Sequence, residues 1–349
     1  MDYIQEILPD MDQIEQYVKS LTPDMNFSAK ELFFELLQGK WDSLEACVGF
    51  LLQYIRNYLT EWRQVFLTIV SLFVISAIAA ACADTMKSKS TGKMCELFFQ
   101  LSLMLELSYV WKQMMGIVTG GMQSVIEFLK LAIPGYMICL AATGTGITAA
   151  AFYKLLLGFV CLLEGGVLSM LLPAVEFYMM LGFLESLMDE KRLLGMMRLI
   201  KKGILLVLKG FTLLFGGSGM LQMLVLPAID REKQTLIRKT VAAIPGVGDV
   251  ADSLSGVLVA SAMTVKNCYG VVILFVLIFA ASVPLISLGM MLLLLHVSLA
   301  LGGITGARKL EDTISYCAQA GDLLFRIFFT FTGIYFIAIA ALIASTGGK

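Results

Sequence analysis

Two long apolar stretches, Leu155–Met188 and Tyr269–Leu301, each interrupted by one proline, constrain this chain more than any other feature. A helix crosses a hydrocarbon core in about 20 residues, so each stretch is long enough to span it. Strand-like alternation is absent, and helices satisfy their own backbone hydrogen bonds in lipid, so the expected elements are helical. The whole chain fits this reading, since 58% of its residues are hydrophobic and only 15% are charged. That balance excludes an ordinary soluble globular domain.

The two stretches are also related. Ile133-Pro134-Gly135 recurs as Ile244-Pro245-Gly246, 111 residues later (244 − 133). The same offset joins Pro173 to Pro284, Met179-Met180-Leu181 to Met290-Met291-Leu292, and Leu184 to Leu295. A repeat of this kind in an apolar chain indicates a duplicated membrane unit, with function expected at the seam between copies. Four divisions follow: an acidic helical region over 1–63, a first span with membrane-associated helices over 64–130, repeat 1 with a charged linker over 131–241, and repeat 2 over 242–349. The expected fold is an all-α, polytopic membrane bundle of seven or eight crossing or re-entrant segments. Pro134-Gly135, Pro173, Pro245-Gly246 and Pro284 are its predicted helix breaks.

Charge is uneven. Residues 1–64 carry 11 Asp/Glu against 5 Lys/Arg, and the remainder carries 16 against 21. Basic residues cluster at Lys87, Lys89 and Lys93, at Lys191–Lys202, at Arg231–Lys239 and at Arg308-Lys309. By the positive-inside rule these are cytoplasmic loops, which leaves the acidic N-terminal region outside. Ser28-Ala29-Lys30-Glu31 and Asp42-Ser43-Leu44-Glu45 fit the capping-box pattern and predict two helix starts. The second helix carries Leu44, Val48, Leu51, Ile55 and Leu59 on one stripe and runs into the first span, Val65–Ala83. No basic n-region with a short apolar core precedes that span, so no cleavable signal peptide is expected in the sequence. Gly116-Ile117-Val118-Thr119-Gly120 is a close-packing motif if it lies in the membrane.

Ionisable groups inside spans cost roughly 2.5–3.5 kcal/mol each on insertion scales, so each requires an explanation. Glu164, Glu176 and Glu185 flank Pro173, and Glu185 stands at the repeat position of His296 (185 + 111). They fit either a polar pathway or local hydrogen bonding between packed helices. Asp249, Asp252, Gly256, Ala260 and Asn267 form a polar-to-small face in the second copy, with Lys266 beside its far end. That face fits a packing seam with a wetted end, or a pore lining. The seven cysteines are scattered without metal or redox spacing, and the single histidine removes most nucleophile–base schemes. Gly302–Lys309 is glycine-rich and basic but does not match the phosphate-loop pattern. Asp249 and Asp252 lie three apart on one helix, whereas an aspartyl protease dyad brings carboxylates from separate elements. No catalytic residue, metal or cofactor is expected.

The segments Ala243–Asp249 and Thr264–Gly270, with Asn26-Phe27-Ser28 through Gly39-Lys40, resemble the stage III sporulation protein AE family of endospore-forming bacteria. The resemblance extends over nearly the whole chain. It implies a polytopic protein of the mother-cell membrane around the forespore, working with other sporulation channel proteins in a secretion-like assembly. The resemblance implies a signal sequence at the start of family members, whereas the pattern of residues here leads us to expect none within the sequence. The implied partners are lipid, the other channel proteins and, as an option, further copies of the chain; nucleic acid is not among them. The alternative is a stand-alone transporter with a small-solute site between the repeats.

Overall fold

The computed structural model describes residues 11–21, 28–37, 42–85, 89–142, most of 150–214, and 248–346 apart from 306. Among these the regular structure is helical. In chain order the helices are α1 (Met11–Leu21), α2 (Ala29–Leu37), α3 (Asp42–Thr85), α4 (Lys89–Ala142), a π-helical segment (Leu163–Leu171) leading into α5 (Leu172–Leu187), α6 (194–214), α7 (Gly248–Thr305) and α8 (Arg308–Thr346). Five of them are long and apolar enough to cross a membrane, over Val48–Ala79, Gly92–Leu140, Glu164–Leu187, Met263–Ile304 and Arg308–Ala344. The described residues therefore give five candidate spans where the sequence pattern predicts seven or eight.

Part of the difference arises from the prolines, and part from 143–149 and 215–247, which lie outside the described residues. Pro134 and Pro284 lie inside α4 and α7, which continue through them as single helices of 54 and 58 residues. At 1.5 Å per residue these are about 80 and 87 Å long, far more than one hydrocarbon thickness. The predicted breaks at Pro134-Gly135 and Pro284 are thus corrected to uninterrupted helix. An interior proline loses one backbone hydrogen bond, but neighbouring helices and serine hydroxyls can compensate for it. The missing N–H of Pro284 deprives Ala280 O of its usual donor, and the nearby serine hydroxyls bond other carbonyls, Ser282 donating to Phe279 O at 2.7 Å and Ser287 to Val283 O at 2.9 Å. Pro173 does coincide with a change, from π- to α-helix, and takes the first turn of α5 where its missing N–H costs least. The two proline-bearing stretches are accordingly built differently, one divided at its proline and one continuous. Pro245, Gly246, the Gly216–Gly219 run and the linker Asp230–Lys239 lie outside the described residues.

The core is a three-helix seam in which α4 and α8 run parallel to each other and antiparallel to α7. Glycines set its spacing. Viewed along the seam, Gly321 of α8 faces Met114 and Leu292, Gly121 of α4 faces Pro284 and Phe328, and Gly270 of α7 faces Ile343 and Tyr136. At each level a large side chain fills the place a Cβ would take, so the backbones approach closely. The predicted motif at Gly116 and Gly120 is not the one used: both face open space, and their neighbour Gly121 makes the contact. One residue turns a helix by about 100°, so a spacing pattern in the sequence does not say which neighbour faces inward.

α3 lies along this core by its aromatic side. Tyr58, Trp62, Ile69 and Phe73 are buried, and rings stack in order from Phe50 through Tyr54 and Tyr58 to Trp62 and Tyr109. Of the aliphatic stripe read in the sequence, Val48 and Leu59 are turned out while Leu51 packs partly against the core. Aromatic rings bury more area per residue, and here they outcompete the leucines for the core.

α1 and α2 dock onto the bundle rather than standing apart. Ile14, Val18, Ala29, Leu32 and Phe33 join the common core. The Tyr17 hydroxyl donates to Ser124 O of α4 at 2.6 Å, and its ring stacks on Phe128. Burial, and next the Glu127 carboxylate, push the Tyr17 phenol above its ordinary range. The predicted start of α2 is built as expected, with the Glu31 amide donating to Ser28 Oγ at 3.3 Å. Ser28 Oγ in turn donates to Glu15 Oε2 at 3.0 Å, so a carboxylate from α1 completes the cap of α2. α3 is described from Asp42 onward, and the side chains of its predicted cap lie outside the described residues.

Candidate functional site

A set of polar contacts ties the helices together at one end of the bundle. There the Gln100 amide of α4 donates to Ser186 O of α5 at 2.6 Å. Lys191, in the turn between α5 and α6, pairs with Asp312 of α8 at 3.5 Å. Phe73 of α3 covers Gly302 of α7. These contacts gather the α3–α4, α5–α6 and α7–α8 turns, so three of the basic clusters seen in the sequence share one end. The fourth, Arg231–Lys239, lies outside the described residues. α1 docks at Ser124 and Phe128, toward the other end of α4.

Glu185 is the most constrained candidate. It is 2% exposed, and its Oε2 accepts the Leu193 amide at 2.8 Å at the start of α6. Its Oε1 is buried without a hydrogen-bond partner. A carboxylate at a helix N-terminus satisfies a free amide and complements the helix dipole, so Glu185 fixes the tight α5–α6 turn. His296, at its repeat position, has a different setting. It is half-exposed inside α7, its Nδ1 donates to Leu292 O at 2.8 Å, and its Nε2 stands 3.9 Å from Asp322.

Glu164 forms an ion pair with Lys130 of α4, both side chains half-exposed. Glu176 is partly buried on α5. Among the described residues no hydrogen bond or ion pair joins Glu164, Glu176, Glu185 and His296 to one another, so they do not assemble into one relay. Lys266 is fully buried, whereas Asn267, predicted to face the small-residue seam, is exposed. Asp249 and Asp252 stand at the start of α7, and their side chains lie outside the described residues.

Sequence reasoning missed three groups. Gln319 of α8 accepts from both the Tyr178 hydroxyl and Lys201 Nζ at 3.2 Å, linking α5, α6 and α8. Tyr54 shares a 2.7 Å hydrogen bond with Ser287, one turn beyond Pro284. Together with Gly121 and Phe328, this makes Pro284 the point where α3, α4, α7 and α8 meet. Uncharged glutamines and tyrosines are common in apolar helices, so only the unusual depth of Gln100 and Gln319 in the chain's polar pattern could have marked them. A small apolar cleft lies between α3, α4 and α7, lined by Trp62, Ile69, Val110, Met291 and Leu295 among others, with Ser298 its polar member. It offers no charge to orient a polar solute.

Among the described residues the arrangement is therefore a helical framework whose polar contacts tie separate pairs of helices, rather than a converging set of reactive groups. Comparison with curated proteins and with solved structures yields no match. The family model of stage III sporulation protein AE matches residues 27–346, nearly the whole length, and the chain belongs to that family.

Proposed function

We propose that this protein is a non-enzymatic scaffold or conduit in a membrane channel complex that connects mother cell and forespore during endospore formation. Membership of a stage III sporulation family and five candidate spans support a multi-pass sporulation membrane protein. The observation that carries the scaffold reading is the glycine-spaced α4–α7–α8 seam, whose long helices present extended surfaces instead of a solute-sized polar site. In this reading the protein sits in the mother-cell membrane around the forespore. The end that gathers the basic turns faces the cytoplasm, and α1 and α2 lie toward the opposite face.

Two experiments test the proposal. Deleting the gene in the source bacterium is expected to block sporulation after engulfment; normal spore yield would remove the proposal. Single cysteines at positions 20, 90, 195 and 310 of the full-length protein test its orientation. Positions 90, 195 and 310 are expected to label only from the cytoplasm, and labelling of position 20 from that side would overturn the orientation. A stand-alone transporter would instead show substrate flux in liposomes that Glu176→Gln or Asp249→Asn abolishes.

A further inference from the structure

We propose that His296 of α7 and Asp322 of α8 form a proton-operated clasp across the central seam. One ring nitrogen of His296 is already committed, because Nδ1 bonds Leu292 O at 2.8 Å and a carbonyl oxygen only accepts. Nδ1 therefore carries a hydrogen whether the ring is neutral or charged. In the neutral ring Nε2 is then a bare lone pair, and it stands 3.9 Å from Asp322 Oδ2, which is also an acceptor. Two acceptors facing each other do not bond. A proton on Nε2 reverses the sign of the contact, since a cationic N–H then meets a carboxylate, and such bonds close to about 2.7–2.9 Å. Protonation thus draws the two side chains together by roughly 1 Å.

The pair sits on the seam itself. Leu292, whose carbonyl holds the ring, is also the residue that packs on Gly321, its Cδ2 standing 2.6 Å from where a Cβ would lie. Asp322 is the next residue of α8. The surface around the pair is apolar, with Leu293 and Val297 of α7 and Phe329 of α8 exposed beside it. A carboxylate in such a setting is costly without a cation at hand. Other charges lie further off. Arg326 is one turn beyond Asp322, Glu311 stands beside Gly303, about two turns along α7, and Lys201 of α6 donates to Gln319. α3 and α4 pack on other sides of α7, and their charged residues near this level, Glu61, Arg63 and Lys112, are exposed. Among the described residues the ion pair that Asp322 makes is with His296. The sign follows from the geometry: the clasp is closed while the imidazole is charged, at low pH, and opens as pH rises through its titration.

The inference concerns the seam and not sporulation, so its failure would leave the scaffold reading standing. The chain has a single histidine, so isotope-labelled histidine gives ring nitrogen signals from one residue. The full-length protein, purified without a histidine tag, is held in nanodiscs of zwitterionic lipid with EDTA present, so that no metal bridges the two acceptors. Between about pH 8.5 and about pH 5.5 the ring is expected to keep hydrogen on Nδ1 and to gain it on Nε2. Over the same interval the thermal midpoint of the wild type is expected to rise by about 1–3 °C relative to that of Asp322→Asn. His296→Gln supplies an amide donor that does not titrate, so the wild type should show the same relative rise against it, which serves if Asp322→Asn does not fold. Arg326→Gln should leave the rise in place. A ring without hydrogen on Nδ1 at the higher pH overturns the proposal, as does a ring that stays neutral throughout. So does an equal response to pH in the wild type and both variants. Loss of the rise in Arg326→Gln would assign Asp322 to the arginine instead.

Discussion

Replacing Gly121 by alanine isolates the contact on which the central seam depends. A Cβ at this position would stand 2.8 Å from Cγ and 2.9 Å from Cβ of Pro284, and 3.1 Å from Cε2 of Phe328. Carbon atoms prefer about 3.5–4.0 Å, so the neighbours would need to retreat by roughly 0.5–1 Å. The proline ring has no rotamer through which to withdraw, and the helix that carries it is held from the other side by the Tyr54–Ser287 hydrogen bond. Overpacking of this kind costs about 1–3 kcal/mol. Glycine to alanine in a helix also stabilises by roughly 0.5–1 kcal/mol through backbone entropy, which would obscure the effect in a single variant. Gly120 removes that ambiguity, because it is the adjacent residue of the same helix and a Cβ there meets nothing within 4 Å. The propensity gain is common to both substitutions, so the difference between Gly121→Ala and Gly120→Ala is the overpacking term alone, about 1–3 kcal/mol. Thermal or denaturant unfolding of the detergent-solubilised protein, followed by tryptophan fluorescence, measures it. Adding Pro284→Ala removes the atom at 2.8 Å and should recover part of the loss, giving a coupling of at least about 0.5 kcal/mol. Equal midpoints for the two alanine variants, or a higher one for Gly121→Ala, would refute the packing argument.

Three further outcomes follow from individual contacts. Ser28→Ala is expected to destabilise α2 by about 1 kcal/mol and to speed hydrogen exchange of the Glu31 amide, while the core amides of α4 stay protected. Glu185→Ala should release the Leu193 amide and cost about 1–3 kcal/mol, whereas Glu185→Gln, which keeps an acceptor, should cost less; the exchange rate of that amide reads both. Tyr17 gives a pH signature: its folded pKa is raised, so its contribution is complete below the ordinary tyrosine value of about 10 and is lost as pH climbs through the raised folded value. Protection of α1 should therefore weaken above about pH 10 in the native chain, and Tyr17→Phe should flatten that dependence.

The helical membrane class was legible in the sequence because hydrophobicity is a property of residues one at a time. The basic clusters and the Ser28 cap were legible for the same reason, since each is a local arrangement of residue types. Ser28 starts its helix where the pattern places it, because a cap needs only its own next few amides. What failed was any inference that depended on a neighbour. Pro284 looks like a break until Gly121, Ser287 and Phe328 are seen around it, and Gly116 and Gly120 look like a seam until Gly121 is found facing inward. Leu59 belongs to a plausible apolar stripe, but the ring ladder from Tyr54 to Trp62 takes the core side of α3.

The candidate polar residues divide along the same line. Their cost in an apolar chain marked Glu164, Glu185 and Lys266 individually. Only the fold could show that Glu164 meets Lys130, that Glu185 holds the start of α6, and that Lys266 is enclosed while Asn267 is not. The sequence by itself determined that the chain is helical, membrane-spanning and basic in its turns, because those properties follow from transfer energies and local hydrogen bonding. The tertiary structure alone decided which residues face one another, which prolines interrupt a helix and which side of α6 is buried against the bundle. Those outcomes depend on contacts between residues far apart in the chain, and residue spacing does not encode the rotation of one helix against another.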